Sequence, residues 1–461
     1  MIRALLHSSS EVEACLFVQR EFQQSIRWRV SPRPFGVSPS IYAEIEQLGP
    51  LLVEFYRSIQ ELYLSSAAGR MPRWISEYLE LGKPEQVIEY GRMRRFRRDL
   101  PLIIRPDMLL TETGLAITEL DSVPGGFGLT GELGRVYSQL GYTVVGGADG
   151  IVRGFAQGVR SLDDGEPVAA IVVSDESADY REEMDWLAGA LRKKGFTCFA
   201  VSPREVLFQE DGLYVEAAGV RQRITVLYRF FELFDLKNIP KIDLMLYAIR
   251  KRLVRVTPPL KSYLEEKLNL ALFHHPALAN WWEERLGAAG FAKLQQVFPR
   301  TWIVDSRPLP PHAVIPGLEV GGRPVTDFVQ LAQASQSGRE FALKVSGFSE
   351  LAWGSRGVSI GHDLSQADWS ARLEEALASF PTHPYILQEF CKARQVEASY
   401  FDPETGSVAA MRGRVRLCPY YFVHSSGVSL GGILATICPV EKKLIHGMVD
   451  AVMAPTMVEG S

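Results

Sequence analysis

Residues 103–122 read IIRPDMLLTETGLAITELDS, and two apolar runs in that stretch, IIRPDMLL and LAITELD, flank the turn sequence Thr111-Glu112-Thr113-Gly114. The spacing predicts a β-hairpin. Side chains two apart on a strand share a face, which groups Arg105 with Asp107 and Glu119 with Asp121. Pairing the strands then sets one arginine and three carboxylates side by side. Crowded carboxylates repel unless a cation neutralises them, and hard oxygen ligands favour magnesium over zinc or copper. The competing reading is a hairpin whose outer face carries ordinary solvated charges.

Working outward, a chain of 461 residues that is 46% hydrophobic and 23% charged is long enough for two or three domains, each with its own core. Fifty basic residues against 54 acidic ones leave a net charge of -4, which argues against a general nucleic-acid or membrane-surface binder. The cysteines at 15, 198, 391, 418 and 438 are far apart and form no C-x-x-C pair, so neither a disulfide framework nor a zinc site is expected. The start, MIRALLHSSSEVEACLF, lacks the long apolar core of a signal peptide, and no run of about 18 apolar residues occurs. The expectation is a soluble, cytoplasmic protein.

Residues 1–100 read as helical. Ser38-Pro39 supplies an N-cap and a proline at the first helical position, followed by Ile41, Ile45 and Leu48 at helical spacing, with a break or kink expected at Gly49-Pro50. SLDDGEP near 161 reads as a linker. Beyond it VAAIVVS, a helix from about Tyr180 to Lys194 stopped by Gly195, TCFAVS and ITVLYRFF alternate as a compact α/β unit with a parallel sheet. A helical stretch is expected from Pro240 to about Leu286, followed by a strand-rich and glycine-rich region.

In that last region, EFALKVSGFSELAWGSRGVSIG reads as strand, glycine flap, strand, with Lys344 on the first strand and Gly347, Gly354, Ser355, Arg356 and Gly357 in the flap. Glycines let backbone N–H groups approach phosphate oxygens, and a neighbouring lysine adds a fixed charge. A plain hairpin with a snorkelling lysine is the simpler alternative. PYILQEF ends in Gln388-Glu389-Phe390, a segment suited to a hinge that could hydrogen-bond an adenine edge. Arg412, Arg414 and Arg416 alternate along SVAAMRGRVRLC and so share a face, where they meet either solvent or phosphate.

Taken together, these residues resemble the ATP-grasp ligases of circularly permuted order, most of all the glutathionylspermidine synthase family, over roughly residues 90–430. That family carries R-x-D and E-x-N, the second acidic residue twelve after the first. Arg105, Asp107 and Glu119 fall on those positions, and Asp121 stands where the family has asparagine. The family's two nucleotide lysines are matched by Lys267 and Lys344, with Glu266 in place of an asparagine and Val345 in place of a proline. Gln388-Glu389-Phe390 matches its hinge, and Arg412 matches an arginine near the phosphates. The resemblance implies an α/β (α+β) ATP-grasp fold. Its parts are a helical N-terminal region (1–100), strands carrying magnesium-binding carboxylates (101–160), a Rossmann-like α/β domain (161–255) and a nucleotide-binding domain (256–461).

It further implies that ATP and Mg²⁺ are used to join a carboxylate to an amine acceptor through an acyl phosphate, with ADP released. In that scheme Asp107, Glu119 and Asp121 hold the metal and Arg105 stabilises the transferring phosphoryl group. Lys267, Lys344, Gly354, Ser355, Arg356, Gly357, Gln388, Glu389, Phe390 and Arg412 bind ATP. Two alternatives compete. One is an ATP-binding module without ligase activity, which Asp121 permits. The other is an NAD-dependent oxidoreductase built on Gly126-Phe-Gly-Leu-Thr-Gly131, a formal G-x-G-x-x-G with Asp149 about 20 residues on.

Overall fold

The structure is a computed structural model that describes residues 11–22, 26–163, 165–310, 312–352, 356–442, 444–445 and 450–460. The hairpin forms where alternation and turn chemistry place it. Strands Ile103–Thr111 and Gly114–Asp121 pair antiparallel, with Arg105 opposite Asp121 and Asp107 opposite Glu119. Gly114 closes the turn with a φ of 133°, which a residue with a side chain would adopt only under strain. The ladder slips once: Asp107 pairs with Glu119 but Met108 pairs with Ile117, so Thr118 is the extra residue of a bulge.

Ile103–Thr111 also pairs with Ser407–His424, from the other end of the chain. An eight-stranded sheet results, in the order Arg29–Val30, Val452–Val458, Gly427–Pro439, Ser407–His424, Ile103–Thr111, Gly114–Asp121. Gln395–Asp402 and Phe35–Val37 attach to its flanks. The early carboxylate strands and the late arginine strand therefore share one sheet.

Helix Pro39–Ala67 packs on this sheet. Ser38 caps it by accepting from the Ile41 N–H, and Ile45, Leu48, Leu52, Phe55, Ile59 and Leu62 form a buried stripe at three- and four-residue spacing. Each such burial contributes about 2 kcal/mol. The break expected at Gly49-Pro50 does not occur. Proline removes one backbone bond, but the buried stripe runs through it. The Tyr421 ring lies where a Cβ on Gly49 would sit, and the Tyr421 hydroxyl donates to the Ile45 carbonyl at 2.5 Å in the turn before the proline.

The α/β unit has four parallel strands in the order Arg255–Thr257, Val226–Phe230, Ala169–Val173, Cys198–Val201, with helix Arg181–Lys193 ending before Gly195 at φ 77°. Its edge strand interrupts the stretch expected to be helical from Pro240 to Leu286. Val256 and Thr257 are β-branched and precede Pro258-Pro259, which cannot continue a helix. The helices there are Ile242–Arg250, Leu268–His274 and Ala279–Val297.

A second antiparallel sheet, in the order Thr301–Val304, Tyr385–Glu389, Phe341–Val345, Val358–Ile360, carries Lys344 opposite Val358. The expected strand, loop, strand arrangement is present. Among the described residues no helix is long and apolar enough to cross a membrane.

Candidate functional site

The carboxylate face of the eight-stranded sheet forms one wall of a cavity of about 920 Å³. Helix starts near 126 and 180 form a second wall, and the base of the 346–357 loop forms a third. Arg105, Asp107, Glu119, Asp121, Lys267 and Gly357 all line this cavity.

Arg105 reaches Asp107 and Asp121 at 3.0 Å each through Nη2. Asp107 is the most enclosed of the three carboxylates, at 9% side-chain exposure. Arg416 contacts it at 2.8 Å, and the Cys418 thiol donates to it at 3.6 Å. Burial pushes the Asp107 pKa up, but the two arginines outweigh burial and hold it below the usual range. Asp121 goes the other way: burial raises it despite Arg105, and Glu119 adds like-charge repulsion. Glu119 and Asp121 are the more open carboxylates, at 32% and 26% side-chain exposure.

Lys267 Nζ lies 2.9 Å from Glu119 and donates to the Ala352 carbonyl at 3.2 Å, tying the loop base to the hairpin. Burial would lower its pKa, but Glu119, Asp121 and Glu266 raise it. Lys344 is buried behind the cavity wall. It donates to Gln388 Oε1 at 2.8 Å and to the carbonyl of Thr118, the bulge residue, at 3.2 Å. Burial lowers its pKa, Glu119 opposes that, and Lys267 reinforces it. Gln388 in turn donates to Thr301 Oγ1 at 3.1 Å. The two lysines therefore reach neighbouring residues of one strand.

Other expected residues lie elsewhere. Arg356 sits at the rim and pairs with Glu176 at 3.2 Å, while Gly354 and Ser355 lie outside the described residues. The Glu389 and Phe390 N–H groups, expected to be open to an adenine edge, donate to the carbonyls of Arg300 (2.8 Å) and Glu340 (3.0 Å). Glu389 lines a separate cavity of about 730 Å³, together with Cys391 and Lys392. Arg412 bonds Gln395 at 2.6 Å and lines a third cavity, away from the carboxylates. Arg416, on the same face and four residues along, occupies the place expected for Arg412. Alternation shows the shared face but not which arginine meets the hairpin.

The G-x-G-x-x-G segment serves another purpose. The strand before it, Gly114–Asp121, pairs antiparallel in a hairpin, so no parallel βαβ unit surrounds the motif. Helix Phe127–Gln139 begins at Gly126, with φ 82° and no side-chain cap of its own. The carboxylate of Glu183 takes the anion position instead, accepting from the N–H groups of Gly126 at 2.8 Å and Leu129 at 2.9 Å. Burial nevertheless pushes Glu183 up to about 7. Glu183, Tyr180 and Tyr420 all line the main cavity; Tyr180 stands at the strand-to-helix turn where the sequence points to an acid substrate, while motif reading gave no signal for Glu183 and Tyr420.

The donor set around Glu119 and Asp121 is all oxygen, which fits magnesium. Among the described residues no three His, Cys, Asp or Glu side chains already converge on one point, because Arg105, Arg416 and Lys267 neutralise the carboxylates pairwise. Magnesium commonly takes only one or two protein carboxylates, with water and substrate phosphate completing its shell. Glu119 and Asp121 suffice for that.

No family model matches the sequence, and no curated protein matches it either. Among solved structures, the fold is similar to that of a glutathione synthetase-like effector from Globodera pallida in its apo form. The TM-score is 0.57 and the identity 12%, with 97% of this chain and 96% of that chain covered. A protein named as a gamma-glutamylcysteine synthetase, from Methylobacillus flagellatus KT, aligns at a TM-score of 0.42 and 13% identity, over 87% of this chain and 84% of that one. The chain has a glutathione synthetase-like fold.

Proposed function

From that fold and the charges placed on it, we propose that this chain is an ATP- and magnesium-dependent ligase that joins a carboxylate to an amine. The observation that carries the reading is the convergence of Arg105, Glu119, Asp121, Lys267 and Arg416 on one cavity from three segments distant in sequence, the 103–121 hairpin, the Lys267 segment and the late arginine strand. Glu119 and Asp121 would hold Mg²⁺, which would supply neutralising charge beside the phosphates. Lys267 would contact the nucleotide phosphates, and Lys344 would add positive charge from behind the cavity wall. The Nε atoms of Arg105 and Arg416 are buried and have no hydrogen-bond partner among the described residues, so they are donors suited to an anionic oxygen. In such chemistry most of the acceleration comes from positioning and charge stabilisation.

The outer part of the cavity supports an amine acceptor. Glu21, Glu132, Asp179, Glu182 and Asp185 line it together with Trp28 and Trp186, an acidic and aromatic surface that suits a cation. The carboxylate would be activated as an acyl phosphate, the amine nitrogen would attack its carbonyl carbon, and phosphate would leave. The loop after Lys344 would keep water from that intermediate.

The test is Mg²⁺-dependent binding of ATP by calorimetry, then release of ADP and phosphate on adding glutathione with spermidine as probes. ATP binding with turnover supports the ligase, and binding without turnover on any acceptor favours the ATP-binding module. Absence of Mg–ATP binding overturns both.

A further inference from the structure

Glu266 is a buried acid next to one of the two lysines, at a position where the resembling family has asparagine. Its carboxylate makes three contacts. Oε1 lies 2.5 Å from Lys83 Nζ, with side-chain exposures of 2% for Glu266 and 1% for Lys83. Oε2 accepts from the Ser346 hydroxyl and from the Gly347 N–H, the latter at 2.9 Å. Ser346 Oγ accepts in turn from the Leu268 N–H at 3.2 Å. Lys83 also donates to the Leu79 carbonyl, which ties the assembly to the N-terminal helices.

The chain positions give this cluster its meaning. Lys267 follows Glu266 directly, and Ser346 stands two residues after Lys344. Gly347 packs so closely that a Cβ there would lie 1.9 Å from the Glu265 carbonyl oxygen. The two lysines carry like charges and reach Thr118 and Glu119, adjacent on one strand. Glu119 lies between these charges and offsets their repulsion, but it does not fix the backbones that carry them. A buried carboxylate with a lysine counter-charge and two hydrogen bonds to the loop base does so.

We propose that Glu266, neutralised by Lys83, is a positioning residue that clamps the base of the 346–357 loop to the Lys267 segment and so sets the separation of Lys267 and Lys344 for nucleotide phosphates. This rests on the ligase reading for its ligand, Mg–ATP, but it makes its own prediction. An asparagine is shorter and uncharged and would need no lysine partner, so Lys83 and Glu266 form a matched pair.

The experiment measures Mg–ATP dissociation constants by calorimetry for wild type and two double variants, at a temperature where circular dichroism shows each to be folded. Lys83→Met with Glu266→Gln removes both charges and keeps an acceptor for Ser346 and Gly347. Its affinity is expected within about threefold of wild type. Lys83→Met with Glu266→Ala also removes both charges but leaves the loop base unclamped, and is expected to bind about tenfold more weakly, the effect of losing one or two such hydrogen bonds. Wild-type affinity in the alanine double variant overturns the clamp, as does equal weakening in both variants. Failure of wild type itself to bind Mg–ATP overturns the ligase reading, a distinct outcome.

Discussion

One guanidinium group, that of Arg105, lies 3.0 Å from Asp121 as well as from Asp107, and so bridges the last residue of one hairpin strand to the fifth residue of the other. Each carboxylate is held differently: Asp107 has Arg416 as a second cation, while Asp121 relies on Arg105 and a bond from the Val123 N–H at 2.8 Å.

Replacing Arg105 with methionine therefore leaves Asp121 without its cation and Asp107 with one cation in place of two. Breaking one side of a buried ion pair costs about 3–5 kcal/mol. Urea unfolding of Arg105→Met at pH 7 is expected to show a loss near the lower end, because Arg416 still serves Asp107.

Asp121→Asn is expected to act in the opposite direction. The folded-state pKa of Asp121 is raised, chiefly by burial, so its ionisation is less favourable in the folded chain than in the unfolded one. Wild-type stability then falls as pH rises above the ordinary aspartate value, and the asparagine variant lacks that fall. The variant should be more stable at pH 7, with the difference vanishing below about pH 4. Melting curves across that range check it.

Lys344→Met should raise the Mg–ATP dissociation constant about tenfold or more, since it removes a fixed charge beside the carboxylates. Arg412→Ala should change it less than about twofold, because Arg412 lines a different cavity and bonds Gln395. Calorimetry on the two variants decides between them. A large effect at 412 and none at 344 would reverse the assignment.

Glu183 gives a pH signature of its own. With a folded pKa of about 7 against an ordinary value of 4.5, it makes the wild type lose stability as pH rises from about 4.5 to 7 relative to Glu183→Gln. The loss is expected on the order of 1–3 kcal/mol. The charged group that bears on it is Arg105 from the hairpin, which together with the N–H bonds from Gly126 and Leu129 opposes the effect of burial. Parallel pH profiles for the two proteins would sink the idea.

How far these features were legible in the sequence varies with their cause. Period-two alternation and the turn sequence Thr111–Gly114 made the 103–121 hairpin readable, with Arg105 and Asp107 brought beside Glu119 and Asp121, but not which residue stands opposite which. The α/β unit was readable because short apolar strands and a capped helix alternate. The bulge at Thr118 was not, since it is set by pairing register, and so the carbonyl that receives Lys344 could not be foreseen. Arg416 and Arg412 were indistinguishable because alternation carries no position along a strand. Gly49-Pro50 misled because local breakers yield to a buried stripe that a long helix must keep facing the core. Glu183 was hidden for a simpler reason: it fills a helix end from a segment more than fifty residues away.

That last arrangement bears on how the chain opens locally. Helix Phe127–Gln139 has no acceptor of its own at its first turn and depends on a residue of helix Arg181–Lys193. Its first turn therefore cannot be completed by local chemistry. Opening of that turn is therefore coupled to release of helix Arg181–Lys193. Amide exchange at Gly126 and Leu129 should accordingly speed up in Glu183→Ala, reporting the contact between the two helices and not the stability of one.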